Sequence, residues 1–433
     1  MAFDLKGALD ALAASDPVRV EGRVRALCGL SIRAAIPGVR VGEVVEIERR
    51  GRPPLAAEVV GFALDEATLL PLGDADGIAP DDRVRPTGRA LQITVGEALL
   101  GRVLDGLGVP LDGGPPLVGT AWDVMRAPPG PLTRPRISSP MHLGVRALDG
   151  LFTVGEGQRV GLFAGSGVGK STLLGQIARQ ADADVFVACL IGERGREVVE
   201  FLEDALGPEG RARGVVVCAT SDAPALVRLR SAWVATAVAE HFRDQGKRVL
   251  LMMDSVTRFA RAGREVGLAA GEPPARRGYP PSVFAMLPQL LERSGTSARG
   301  SITAFYTVLV EGSDMEEPIA DEVRGILDGH IVLDRALGAR GRWPAIDPLS
   351  SLSRVMDAVT TPSHRDAATR MRAHLAVYEA KRDLVLLGAY TRGSDPRLDA
   401  ALARIDAIEA FLRQDRHERA PFEATRASLD RLV

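Results

Sequence analysis

Residues 159–178 read RVGLFAGSGVGKSTLLGQIA: an apolar run, a glycine-rich turn, and then a helical period. An apolar strand feeding a turn that ends in Lys170 and Ser171 and continues as a helix is the context in which such a turn binds phosphate. Glycine tolerates unusual backbone angles, so successive N–H groups can turn inward around an anion. A helix opening near Gly169 adds its positive end. Gly165, Ser166, Gly167, Val168 and Gly169 are thus expected to cradle phosphate oxygens, with Lys170 as a point charge. Ser171 and Thr172 follow at the helix start, Ser171 offering its hydroxyl to Mg²⁺. The strict pattern opens on glycine, and Ala164 stands in that place; the glycines within the turn keep it pliable.

The runs around this stretch are continuously apolar: VFVACLI, GVVVCA, RVLLMM and SITAFYTVLV, separated by helix-like segments. Such alternation predicts an α/β core with a parallel sheet covered on both faces. In that architecture ligands gather beyond the carboxyl ends of the strands. VFVACLI ends at Gly192 and delivers Glu193, a candidate for orienting water; RVLLMMD delivers Asp254, a candidate magnesium-ordering carboxylate.

The chain has 433 residues, enough for two or three domains. Residues 1–17 are expected to form a short helix for oligomer or stator contacts. Period-2 alternation in VRVEGRVRAL, VGEVVEIERR and LAAEVVGF predicts a small β-barrel over 18–88. Residues 89–356 are assigned to the nucleotide core, entered through the tether APPGPLTRPR, and 357–433 to a helical domain. In the last, RLDAALARIDAIEAFL repeats apolar residues at helical spacing, and Asp395 before Pro396 makes a capped start. Net charge is −2 and aromatics make up 4%, which argues against a nucleic-acid partner. Cys189 and Cys218 lie in apolar runs and read as buried thiols, and with Cys28 they suit a reducing cytoplasm. No apolar stretch approaches the ~20 residues of a membrane helix, so a membrane is expected to be reached only through partners.

AGSGVGKS, IGERGREV, LLMMDSVTR, GEPPARRGYPPSVF and PAIDPLSSLS together resemble the rotary-ATPase superfamily. GERGREVVEF, AEHFRDQGKRVLLMMDSVTRFARAGRE, GYPPSVFAMLPQLLERSG and ITAFYTVLVEG look more narrowly like the ATPases of type III secretion systems, flagellar or injectisome. The resemblance implies a RecA-like core behind an N-terminal barrel, with a helical C-terminal domain, assembled as a homohexamer with nucleotide at subunit interfaces. It implies that Glu193 polarises water, that Arg194 lies on the phosphate side, and that Arg354 is the arginine finger given to the adjoining subunit. It implies that Trp343 stacks on adenine where relatives carry tyrosine, and that Phe422 closes the other face. Expected partners are a central stalk, stator or regulator proteins, chaperones and export substrates at the inner-membrane export apparatus. Arg276 and Arg277 are expected to face the channel, and HLAVYEAKRDLVLLGAY the stalk; Met371, just before that segment, and Leu375 and Tyr378 within it read as packing. VLVEGSDMEEPIADE leans toward the injectisome branch.

One chain carrying both a water-orienting acid and a finger arginine can close a ring of identical sites. Three other readings stay open at this point. A catalytic subunit of a rotary synthase shares the chemistry. An RNA translocase of the transcription-terminator type shares the core, but it needs a basic, aromatic N-terminal surface. A non-catalytic ring subunit lacks use for Glu193 and Arg354.

Overall fold

A computed structural model describes residues 20–165, 167–310 and 314–432. The helix expected over 1–17 and the loop residue Ser166 lie outside these. The described residues form two compact units: one ends at Gln92 and includes Val266–Glu272, the other holds the remainder.

The first unit is a closed barrel of β1 (Gly22–Cys28), β2 (Ser31–Ala35), β3 (Glu43–Arg49), β4 (Arg52–Ala63), β5 (Glu66–Pro71) and β6 (Arg83–Ala90), in the order 1-2-5-4-3-6. The alternation read from sequence is the inside–outside alternation of the wall. Ile32, Ala34, Val45, Ile47, Val59 and Leu69 point inward and are fully buried, while Arg33, Glu46 and Arg25 point outward.

Beyond the barrel strands, β7 (Gln92–Val95) pairs with β9 (Thr120–Asp123), and β10 (Pro140–Met141) with β11 (Val154–Gly155). The main sheet contains β8 (Val103–Asp105), β12 (Arg159–Ala164), β13 (Val185–Glu193), β14 (Gly214–Thr220), β15 (Arg248–Asp254), β17 (Ser301–Leu309), β18 (Gly329–Leu333) and β19 (Leu352–Ser353), in the order 19-18-12-17-15-13-14-8; β16 (Gly295–Thr296) pairs with β17. All are parallel except β16 and β19. Every residue of β13 is buried, as strands covered on both faces require. Burying a side chain such as Phe186 or Ile191 stabilises the sheet by roughly 1.5–3 kcal/mol each.

The C-terminal segments pack onto this core. Met371 and Leu375, on the long helix Pro362–Leu386, join its apolar interior with Ile408, Phe411, Leu412 and Leu429. The single period read over 396–412 resolves into two helices, Pro396–Leu402 and Ile405–Leu412. Asp395 caps the first, accepting from the backbone N–H of Arg397 and Leu398. Among the described residues no helix is long and apolar enough to cross a membrane.

Candidate active site

The phosphate loop joins β12 to the helix Lys170–Gln180. Gly167 and Gly169 have φ of 77° and 78°, the left-handed region that glycine enters without strain. Gly169 answers a second demand as well: a Cβ there would lie 2.9 Å from the Trp343 ring, so glycine lets the indole sit down on the loop.

The strand order places the acids. β15 and β13 lie beside one another, and β17 stands between β15 and β12, so Asp254 and Glu193 emerge at the same edge as Lys170. Lys170 Nζ donates to Asp254 Oδ1 at 2.5 Å and lies 3.8 Å from Glu193 Oε1. Thr307 donates from Oγ1 to Asp254 Oδ1 at 2.8 Å. Glu193 Oε2 pairs with Arg258 at 3.0 Å, whereas its buried Oε1 has no hydrogen-bond partner. Burial pushes the Glu193 carboxyl above its ordinary range, reinforced by the carboxyls of Glu197 and Asp254 and opposed by Lys170 and Arg258. A buried acid with one oxygen fixed by a guanidinium and one left over is equipped to hold water.

Arg258 is a residue that the sequence reading passed over. It sits in LLMMDSVTR, one turn beyond Asp254, where a helix following β15 turns back toward β13. The pairing of β13 with β15 is what brings it to Glu193. Arg194, expected on the phosphate side, is exposed at the start of the short helix Gly195–Glu200.

A cleft of about 380 Å³ opens beside the loop, lined by Gly167, Gly169, Thr172, Gln176, Trp343 and the tail residues 414–416, among others. Trp343 is 44% exposed and also packs on Gly338. Phe422, expected to close the other face of the base, is placed as follows. Its ring stacks on His142 with centroids 4.1 Å apart and is not among the cleft's lining residues. The tail reaches the cleft eight residues earlier because Gln414 is tied in: its backbone N–H donates to Trp343 O at 2.8 Å. Its side chain accepts from Arg146 N–H and donates to Gly144 O, both at 2.8 Å. The loop it grips is braced by Asp149, fully buried, which accepts from the N–H of Leu143 and Gly144; burial pushes its carboxyl up to about 7. A larger cavity of about 820 Å³, on the barrel around Arg40, Glu43 and Arg85, brings together no comparable set of loop, lysine and paired acids.

Arg354 stands apart from all of this. It follows β19, whose Ser353 pairs with Gly329 at the start of β18, and its N–H donates to Asp328 O. It is therefore exposed at the amino-terminal end of the parallel strands, the opposite end from Lys170 and Glu193.

Comparison with known proteins gives the family. The ATP synthase alpha/beta family nucleotide-binding domain matches residues 144–353, and the C-terminal domain of the type III secretion ATPase EscN matches 360–431. A flagellum-specific ATP synthase of Bacillus subtilis is 51% identical, covering 98% of each chain. A type 3 secretion system ATPase of Xanthomonas euvesicatoria is 54% identical over 93% of this chain and 92% of its own. The structure of the assembled ATPase EscN from enteropathogenic E. coli superposes with a TM-score of 0.90 at 47% identity, covering 95% of this chain and 99% of that one. A second EscN structure, in complex with its central stalk EscO, gives 0.88. With relatives at 51–54% identity covering 93–98% of its length, this chain belongs to the type III secretion and flagellar ATPases of the ATP synthase alpha/beta family.

Proposed function

We propose that this ATPase works as a homohexameric ring at the cytoplasmic face of an inner-membrane export apparatus, splitting ATP to release, unfold and export proteins of a type III system. The observation that carries the ring is the placement of Arg354. A guanidinium at the amino-terminal end of the sheet cannot serve the site at the carboxyl end of the same sheet, so it serves a neighbour's. Head-to-tail repetition of such a contact closes into a ring.

In this reading the loop amides and Lys170 hold the β- and γ-phosphates. Glu193, fixed through Arg258, orients the attacking water. The neighbour's finger meets the charge that develops as the γ-phosphoryl departs. Asp254 and Ser171 fit magnesium: a carboxylate and a hydroxyl are hard oxygen donors, and among the described residues no cluster of three acids, histidines or cysteines forms an all-protein cage. Magnesium usually retains water and relies on phosphate oxygens in such a setting, and it would neutralise charge on the phosphates. The base enters beside Trp343, with Arg416 on the tail side in place of an aromatic ring.

Partner contacts follow from exposure. Leu384, Leu386 and Leu387, 49–81% exposed near the end of the long helix, suit an apolar stalk or chaperone contact. Arg276 and Arg277 are exposed, and Arg277 lies 3.4 Å from Asp314 and Arg276 3.7 Å from Asp321; these are weak pairs that an acidic segment in a channel could replace. Relatives from flagella and from injectisomes match at similar identity, so the proposal concerns the activity the two branches share.

The test mixes two inactive proteins. Glu193→Gln and Arg354→Ala subunits should each be silent alone. Mixed in equal amounts, they should regain activity at about a quarter of sites, where one supplies the acid and its neighbour the arginine. A mixture as silent as its parts removes the shared site.

A further inference from the structure

We infer that Gln176 reads the edge of the nucleobase and gives the site a preference for adenine over guanine. The inference rests on the reading that the base enters the cleft beside Trp343. Thr172, Gln176 and Gln180 are spaced at i, i+4 and i+8 on the helix that follows the phosphate loop, so they form one row on its face. Thr172 and Gln176 line the cleft, and Gln180 donates from Nε2 to Glu418 O, closing the row against the tail.

Gln176 is 2% exposed, and its Nε2 has no hydrogen-bond partner. A buried amide donor left unpaired costs about 1–3 kcal/mol. Nothing in the helix or the sheet requires an amide here; the neighbouring cleft-lining position is the apolar Leu173. A carboxamide sharing a small cleft with a half-exposed indole is explained by a polar planar ligand. The indole offers a stacking face without hydrogen bonds and the amide offers hydrogen bonds without a stacking face.

The chemistry of the amide then selects the base. Gln presents one acceptor and one donor side by side. Adenine presents the complement at its 6-amino group and N7, and it is on this edge that an amide tells the bases apart. Guanine and hypoxanthine carry an acceptor oxygen at that corner; beside N7 this gives two acceptors, which an amide cannot satisfy together. The terminal torsion of Gln is soft, so the amide can swing into the plane of the base. Thr172 stands at the mouth of the row, and Gln414, the other amide lining the cleft, is already committed to Arg146, Gly144 and Trp343, leaving Gln176 as the amide with an unspent donor.

The experiment titrates full-length protein with ATP, GTP and ITP and follows Trp343 fluorescence, using Trp343→Phe to subtract Trp122 and Trp233. The parent should bind ATP about tenfold more tightly than GTP or ITP. Gln176→Met keeps the length and the packing but removes both polar atoms. It should bring the three affinities within about twofold of one another, with kcat for ATP retained and KM raised. Gln176→Leu likewise removes both polar atoms, and it should also lose the preference; it replaces the Met variant if that one fails to fold. Equal affinities in the parent, or an unchanged ATP-to-GTP ratio in the variants, would overturn the inference while leaving the cleft as the base site. A Trp343 signal indifferent to all three nucleotides would instead remove the cleft reading on which the inference stands.

Discussion

The two ends of the parallel sheet are built to opposite specifications. At the carboxyl end, Lys170, Asp254, Glu193 and Arg258 neutralise one another within hydrogen-bonding reach and are largely shielded from water. At the amino end Arg354 is exposed, and its guanidinium makes a long hydrogen bond of 3.5 Å to Arg324 O. A buried charge cluster is fixed by its own chain, because separating its members leaves uncompensated charge. An exposed guanidinium held by one long hydrogen bond is free to re-pair when another surface meets it. The difference teaches that one end is complete on folding and the other only on assembly.

The largest effect that could break this contrast is at the exposed end. Arg354→Ala should lower turnover by ~10³–10⁵ while leaving Tm and ATP affinity of the isolated subunit unchanged. A variant that turns over ATP within a few-fold of the parent would show that the amino end is inert. In the parent, specific activity should climb steeply with protein concentration; a flat profile across the assembly range argues the same way. At the buried end, Glu193→Gln should cost ~10²–10⁴ in kcat with KM little changed, read from steady-state kinetics. Arg258→Gln should follow with about 10- to 100-fold, the worth of a hydrogen bond to a charged group. A parental rate in that variant would mean that Glu193 needs no fixing.

The smallest effect sharpens the contrast rather than testing it. Asp149 is raised to about 7 from an unfolded value of about 3.9, so the native state holds its proton more tightly. The stability this group contributes is full below pH ~4 and is lost as pH rises toward 7. Asp149→Asn leaves one backbone N–H unmatched and should destabilise by about 1–3 kcal/mol. Its deficit relative to the parent should narrow between pH 5 and pH 8 in thermal melts. A deficit that is constant with pH would mean that Asp149 is ionised throughout.

Much of the carboxyl end was legible in the sequence because strand ends are legible. Apolar runs that stop at Glu193 and Asp254 announce both acids, and the glycine-rich turn announces Lys170. Arg258 was not, because its role depends on β13 lying beside β15, a neighbour relation that no single run of residues encodes. The same holds for closure of the barrel: alternation shows the strands, while the pairing of β1 with β6 is a long-range fact. Phe422 stood out in the sequence because an aromatic residue in the tail is a natural candidate for a base. The hydrogen bonds of Gln414 decide instead which tail residues reach the cleft, and an amide in the middle of FLRQD carries no such signal by itself.

Gln414 has a further consequence for exchange with solvent. Its own backbone N–H and that of Arg146 are held by bonds that share this one residue, and the Gly144 carbonyl is held by the same side chain. The two amide protons should therefore swap for deuterium together, at one opening rate, though they lie 268 positions apart in the chain. That rate clocks how often the tail lifts from the cleft, and a bound base should slow both amides alike.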